Sequence, residues 1–556
     1  MCHGRFLLVG ILVFSACGGK GSGGNGGTSA SGGVTGGGKG GTSGTAGAMG
    51  GGAGTGGVSG AGGSAGGSSG GGAAGTGGGG TGGQGGAGGG GGTGAVSGGG
   101  GSAGASGSGG GAGNSGGAAG IAGRGGSSAA GTSGTAGASG AGGSGGTTGT
   151  AGTGGACTTS VSGTVYDPAG TLPLYNVSVY APTTALTAIT EGVTCDRCGL
   201  LSGAPAAVTT SDVQGKFKLE GIPAGVNVPL VFQIGKWRRQ VTIPNVAACA
   251  DTALTDANLT RLPRDSSEGH IPRIAITTGG ADALECFVRR IGIADTEFTS
   301  DAGAGRVHLY EGGDGTNSFA AGGTFSAAAT LWSSPTKLAN YDMIGFSCEG
   351  STSKFIDQKP QTSVDNIAAY ANSGGRLLLG HYHFYWLQHS SDFSGTASYV
   401  GNLTSPATSA SEPIDLTVNT TFSGGAALAQ WLAGPIVAAS PTPGRITVSG
   451  LEHSVTAVTA PTAEWTYLAS NPQDSQHRRS VQFLSFQTPV GMPPGNQCGK
   501  AMLFDTHIKQ SASTISGAGG DDSDPSKPFP SGCKTNVMTP QMKALEFVFF
   551  DLGACL

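Results

Sequence analysis

The residues best suited to chemistry fall in two short runs, His381-Tyr382-His383 and Asp505-Thr506-His507. Each run places two ionisable groups two positions apart. At the end of a strand, residues i and i+2 point to one face. Three histidines and a carboxylate so presented can hold zinc or a similar divalent ion, or serve as general acid and base. His381, His383, Asp505 and His507 are therefore candidates both as catalytic groups and as metal ligands, and a divalent metal is the one cofactor they suggest. Glu349 is the best further carboxylate near them. Tyr382, Phe384, Tyr385 and Trp386 surround the first pair. Aromatic surroundings leave two blander readings open: histidines satisfied inside a packed polar network, or an edge on which a sugar ring stacks, with Tyr382, Tyr385, Trp386 and Glu349 as its binding residues.

Cys348, next to Glu349, is either a nucleophile or half of a disulfide, with Cys286 as the natural partner. Cys195-Asp196-Arg197-Cys198 would suggest redox chemistry or half a zinc site in a cytosolic chain. In an exported one it reads as structural, bridged within the pair or to Cys157 or Cys249. Cys498 and Cys533 complete the disulfide candidates. Once Cys2 and Cys17 are set aside as parts of a processed N-terminus, nine cysteines remain. Nine is odd, so one thiol stays free or pairs between chains.

These residues need elements to position them. Arg273-Ile274-Ala275-Ile276-Thr277-Thr278 reads as an apolar strand turned by Gly279-Gly280. Asp282 can cap the helix that follows, whose apolar positions Leu284, Phe287, Val288 and Ile291 keep the helical period. Tyr341 to Phe346 is a second strand, running into Ser347-Cys348-Glu349-Gly350. Val364 to Ala371 is a helix ended by Gly374-Gly375, and Arg376 to Gly380 is a third strand running into His381. Lys500 to Phe504 is a late strand ending in Asp505, and Leu545 to Leu552 closes the chain as an amphipathic helix. Apolar strands alternating with helices predict an α/β doubly wound parallel sheet over 268–556, and ligands on such sheets bind beyond the carboxyl ends of the strands. Residues 390–497 match no element of that plan.

Ahead of this lies a different pattern. Over 157–262, Val161 and Val165, Val177 and Val179, Phe217 and Leu219, then Leu230, Phe232 and Ile234, alternate with polar neighbours between turn signals. Strict period-two runs without helical period predict an all-β sandwich.

Composition separates both from the N-terminal third. Residues 18–156 hold 73 of the 115 glycines, with no proline, cysteine or acid. Glycine at half the positions, with serine, threonine and alanine filling the rest, cannot bury a core, so a disordered tether is expected. As a flexible coil its reach is roughly 60–70 Å. The first 16 residues, one arginine and then an apolar run from Phe6 to Ala16, read as a signal peptide, too short to span about 30 Å of hydrocarbon. Beyond residue 156 there are 24 basic residues against 32 acidic ones, with no basic cluster, which argues against nucleic acid as a partner.

Three resemblances follow. Phe14-Ser15-Ala16-Cys17 resembles a bacterial lipobox, with phenylalanine where leucine is usual. It implies lipidation of Cys17 and an exported protein held in the cell envelope, at the outer membrane or cell surface. Ser162 to Asp167, Asn176 to Val179, Asp212-Val213-Gln214-Gly215-Lys216-Phe217 and Gly221 to Gly225 resemble the carboxypeptidase-regulatory-like, or transthyretin-like, sandwich, a group with carbohydrate-binding-like relatives. That implies an accessory domain rather than a peptidase. Tyr341 to Ile344, Asn372 to His381 and Gly499 to His507 resemble the class I glutamine amidotransferase-like fold, and within it the ThuA-like group. Where the amidotransferases carry a cysteine at the nucleophile elbow this chain has His381, as ThuA-like members do. Their His-x-Glu is replaced by Asp505-Thr506-His507, so glutaminase activity is not expected. Two functions are expected from these features: a non-catalytic envelope lipoprotein that binds carbohydrate or envelope material, or a hydrolase or isomerase of sugar-like substrates built on the His/Asp cluster.

Overall fold

The computed structural model describes residues 157–197, 199–350, 359–401, 413–508, 523–534 and 537–556. The signal segment, Cys17, the glycine-rich stretch and Cys198 lie outside the described residues. Among those described, no helix is long and apolar enough to cross a membrane.

The alternating segments become four of the module's seven strands, the first, second, fourth and fifth. β1 (Ser160–Thr164), β4 (Lys216–Glu220) and β7 (Asp251–Leu254) form one sheet in the order β4-β1-β7. β2 (Ser178–Pro182), β3 (Pro205–Thr210), β5 (Gly225–Ile234) and β6 (Trp237–Val246) form another in the order β3-β2-β5-β6. β4 alternates exposed and buried without a break, so every second side chain turns inward. Phe217 of one sheet meets Phe232 of the other edge to face at 5.9 Å, which joins the two layers.

The second module is built on one mixed sheet. Its strands are β8 (Ile274–Thr277), β9 (Phe298–Thr299), β10 (Val307–Glu311), β11 (Ser326–Ala327), β12 (Met343–Phe346), β13 (Arg376–Gly380), β15 (Ile414–Val418), β16 (Arg445–Val448), β18 (Ala463–Leu468), β19 (Ser480–Thr488) and β20 (Gly499–Phe504). β14 (Ala397–Tyr399) and β17 (Val455–Val458) pair separately. The order is β11-β10-β8-β12-β13-β20-β19-β18-β15-β16, with β9 beside β10. From β11 to β20 the neighbours are parallel, and from β20 to β16 they are antiparallel. The expectation of a purely parallel sheet is therefore corrected. The segment 390–497, which fitted no element of the parallel plan, supplies β15, β16, β18 and β19 of the antiparallel half. β18, β19 and β20 follow one another as antiparallel neighbours, whereas a helix, Ser423–Leu432, lies between β15 and β16.

The parallel strands are buried end to end, as their unbroken apolar runs require. Their side chains serve two cores. Leu377 and Leu379 of β13 share a cluster with Val364, Ile367, Ala368 and Ala371 of helix α1 (Gln361–Asn372). Leu378, between them, belongs with Leu545, Val548 and Leu552 of helix α2 (Pro540–Gly553). Successive residues point to opposite faces, so helices cover the sheet on both sides. Pro540 at the first turn and the Thr539 side chain accepting from the Met542 amide start α2 ahead of the span 545–552 expected from the sequence.

The two modules share one hydrophobic core. Trp237 of β6 packs on Phe549 and Phe550 of α2, Trp431 donates its indole N–H to the Pro173 carbonyl at 2.7 Å, and Cys195 is bridged to Cys498. Cys157 pairs with Cys249 and Cys286 with Cys533, and Cys555 is also disulfide-bonded. Two expected bridges are corrected. Cys286 pairs with Cys533, not Cys348, because its helix faces the loop at 523–534. Cys195 crosses to the other module instead of closing on its own insertion. Cys348 is buried and free, and it takes the odd place that cysteine arithmetic demanded.

Candidate functional site

Four adjacent parallel strands, β8, β12, β13 and β20, end at one rim of the sheet. Residues just past those ends converge there. The loop after β8 brings Asp282, the turn after β12 brings Cys348, the turn after β13 brings His381, and the segment after β20 brings His507. A fifth residue, Glu452, arrives from the segment between β16 and β17. The loops approach closely. A side chain at Gly279 would meet the Cys348 carbonyl at 2.2 Å, so only glycine lets this backbone lie against the next strand's turn. The Ala281 and Asp282 amides then donate to that same carbonyl at 3.1 and 3.3 Å.

His507 is held between two acids. Its Nδ1 lies 3.1 Å from Asp282 Oδ2, and its Nε2 lies 3.3 Å from Glu452 Oε1. Burial works against the imidazolium, but Asp282 and then Glu452 outweigh it and push its pKa up to about 9. Asp282 is fixed by accepting the Ile508 amide at 2.9 Å. The helix after it runs from Leu284 to Arg290 without a side-chain cap. Asp282 is thus not the expected helix cap but the orienting partner of His507.

His381 sits between the thiol and Glu452. Its Nδ1 is 3.5 Å from Cys348 Sγ, and its Nε2 is 3.8 Å from Glu452 Oε2. Its ring stands nearly perpendicular to that of His507 at 5.3 Å, and Tyr382 stacks on it at 4.2 Å. Donor atoms of Cys348, His381 and His507 all lie within 4.8 Å of one another, and all three residues are buried. Burial, then the charge of Asp282, holds the Cys348 thiol well above the usual cysteine range.

Two of the four sequence-predicted catalytic or metal residues leave this cluster. β13 ends at Gly380, and 381–383 is a 3-10 turn. A turn of three residues rotates successive side chains by about 120°, so the shared face expected of i and i+2 is lost. His383 instead accepts the Trp386 indole N–H at its Nδ1, 2.9 Å away, and donates from Nε2 to the Ser347 carbonyl at 3.0 Å. Burial keeps it neutral, its pKa well below the ordinary value. It is a structural histidine. Asp505 accepts the Ser454 amide at 2.8 Å, and its backbone carbonyl accepts the Glu452 amide at 3.0 Å. Its carboxyl is pushed well up, chiefly by burial. Asp505 holds the Glu452 loop in place and does not join the three clustered donors.

The expected binding edge is also redistributed. Trp386 is fully buried. Tyr385 is half-buried and donates its hydroxyl to the Lys359 carbonyl at 3.3 Å. Glu349 forms a buried ion pair with Lys359 at 2.6 Å, and the lysine ammonium lies over the Trp332 and Trp386 rings at 5.1 and 5.8 Å. Of the expected binding residues, Tyr382 alone touches the cluster. Sequence reasoning missed Glu452 and the role of Asp282. Glu452-His453 lacked a recognisable strand context, and the loop position of Asp282 matched a commoner cap signal.

No family model matches the chain, and no curated protein matches it. Among solved structures it is similar, at 13% identity, to a 9R-lipoxygenase from Cyanothece PCC8801, over 18% of this chain and 16% of that one, with a TM-score of 0.12. It is similar, at 15% identity, to a chain of a type II cohesin–X-dockerin complex from Acetivibrio cellulolyticus, over 26% of this chain and 78% of that one, also with a TM-score of 0.12. The chain spans about a sixth of the lipoxygenase's length. Neither score carries an argument about fold or function.

Proposed function

We propose that this chain is an exported, lipid-anchored protein of the bacterial envelope whose doubly wound, amidotransferase-like head is a hydrolase or isomerase of sugar-like substrates. One observation carries the catalytic reading over the binding one: the convergence of His381, His507, Cys348 and Glu452 at the carboxyl rim, with Asp282 behind His507. A rim of this kind is where α/β sheets place ligands. The stacking edge that a carbohydrate binder would use is depleted, since Trp386 is in the core and Glu349 is committed to Lys359. The sugar-like substrate class rests on the ThuA-like resemblance of 372–381 and 499–507. The envelope location rests on the lipobox-like Phe14 to Cys17.

The roles follow from the contacts. Cys348 is not a competent nucleophile as it stands, because a thiol held well above the cysteine range carries little thiolate. Glutaminase chemistry is disfavoured for the same reason. Glu452 faces both histidines and is the group placed to take up and return a proton. The positive charge at His507 polarises a substrate carbonyl or steadies a developing oxyanion. Asp282 orients that charge.

The test is a panel of aldoses, ketoses and glycosides offered to the full mature chain, with turnover followed by product chromatography. Turnover on at least one member, reduced about 100- to 10,000-fold in Glu452→Gln, is the expected result. A protein that turns over none of them, yet binds glycans equally well with and without Glu452→Gln, overturns the catalytic reading.

A further inference from the structure

We infer that the rim holds a borderline-soft divalent cation of the zinc type, ligated by Cys348 Sγ and one imidazole nitrogen each from His381 and His507, with Glu452 beside the fourth position. The inference rests on and deepens the functional reading of the same rim, from separate geometry: with the ion bound His507 is neutral, and the dication takes the polarising role given above to its charge.

Donor spacing comes first. Around a tetrahedral ion with metal–sulfur and metal–nitrogen distances of roughly 2.3 and 2.0 Å, donors sit roughly 3.3–3.7 Å apart. Cys348 Sγ and His381 Nδ1 are 3.5 Å apart. The full set of three donors fits within 4.8 Å, so closing on an ion needs only small side-chain rotations.

The surroundings match a metal site as well. A histidine ligand commonly gives its second ring N–H to a carboxylate, which fixes the tautomer and strengthens the ligating nitrogen. His507 does this with Asp282, itself pinned by the Ile508 amide. That arrangement leaves Nε2 to ligate, on the side where Glu452 lies. His381 places Nδ1 toward Cys348 and Nε2 toward Glu452. Three protein ligands with a carboxylate next to the remaining position is the pattern of a site that activates water or polarises a carbonyl.

The thiol selects the metal. Thiolate with imidazole favours zinc or cobalt over magnesium or calcium, which take oxygen donors. It also accounts for a cysteine left free in a chain whose other described cysteines are bridged. A buried thiol with no metal bound is inert, and a bound dication makes the thiolate the stable form. Binding is balanced by proton release: the Cys348 S–H proton and the His507 Nε2 proton leave to solvent as two metal–ligand bonds form.

The test uses the full mature chain in detergent, stripped with a chelator and reloaded with zinc or cobalt alone. One equivalent of zinc retained after gel filtration is expected, together with a thiolate-to-cobalt charge-transfer band and the intense visible bands of four-coordinate cobalt. Cys348→Ser should abolish the charge-transfer band, and Asp282→Asn should weaken affinity about 10- to 100-fold. His383→Gln, outside the ligand set, should keep the band. Failure of the wild-type chain to retain either metal, or cobalt bound without the charge-transfer band, overturns the inference whether or not any variant folds. A band that persists in Cys348→Ser overturns it as well. Metal bound without turnover of any sugar would sink the functional reading alone. Turnover by a wild-type chain that retains neither metal would sink the metal alone.

Discussion

Asp167, in the turn after β1, and Glu546, on α2, meet as two fully buried carboxyls where the two modules join. Asp167 accepts the amides of Thr171 and Leu172 at 2.7 and 3.2 Å and the Thr171 hydroxyl at 3.0 Å. No protein donor among the described residues reaches either oxygen of Glu546. Burial, reinforced by the neighbouring Asp167, pushes the Glu546 pKa well up. Burial thus favours the protonated form of Glu546, which is hydrogen-bonded to Asp167. Burial also raises Asp167, against those three donors, from 3.8 to about 6. A carboxyl whose folded pKa is raised binds protons more tightly in the folded state, so its contribution to stability is fully present below about pH 4 and is lost as pH rises through about 6. A shift of about 2 units corresponds to about 3 kcal/mol. Asp167→Asn keeps an oxygen for the two amides and removes the titration. Denaturant unfolding of the non-reduced protein should then show the stability difference between variant and wild type moving by about 3 kcal/mol in the variant's favour from about pH 4 to about pH 7. Burial, the larger cause of the shift at Glu546, is unchanged in the variant. Parallel stability curves for the two proteins across that window would refute the reasoning.

Two further outcomes are expected. Glu349→Gln removes a carboxylate partner of the buried Lys359 ammonium and should cost about 3–5 kcal/mol, measured by denaturant unfolding, with much of the loss recovered in Glu349→Gln combined with Lys359→Met; a double variant no more stable than the single one would count against it. In the native host, labelled palmitate should incorporate into the chain and be lost in Cys17→Ser, whereas label retained by that variant would remove the lipid anchor.

Much of the framework was readable because burial writes itself into residue pattern. The short apolar runs at 274–276, 343–346 and 377–380 lie in strands buried on both faces, and the 3-4 spacing of Val364, Ile367, Ala368 and Ala371 is the stripe of a helix lying on them. The direction of the later strands was not readable. A buried strand has the same composition whether its neighbour is parallel or antiparallel, so β18 and β19 carried no signal of the change. The period-two burial of the sandwich strands, by contrast, reports which face is wet, and Phe217 and Leu219 were placed correctly.

The site divides along the same line. His381 and His507 could be found because rare residue types stood at the ends of recognisable strands, whose register then brought β13 and β20 side by side from Arg376 to Gly380. His383 was misassigned because the rule for a strand was carried one residue too far. The backbone leaves extended geometry at His381, and the next turn sends the second imidazole to Trp386 and Ser347. Glu452 could not be found at all. It reaches the rim because the Asp505 carbonyl accepts the Glu452 amide, the Asp505 carboxyl accepts the Ser454 amide, and Gln482 and Ser480 donate to the Glu452 carbonyl at 2.8 and 3.0 Å. Those are four contacts over sequence separations of roughly 30 to 50 residues, each with a backbone group of Glu452 or Ser454 at one end, a group that every residue possesses and that no composition records. A chemical centre assembled from strand ends is therefore half visible in sequence. Residues on regular elements announce themselves by type and position, and the acid that completes them is placed by hydrogen bonds only the folded chain reveals.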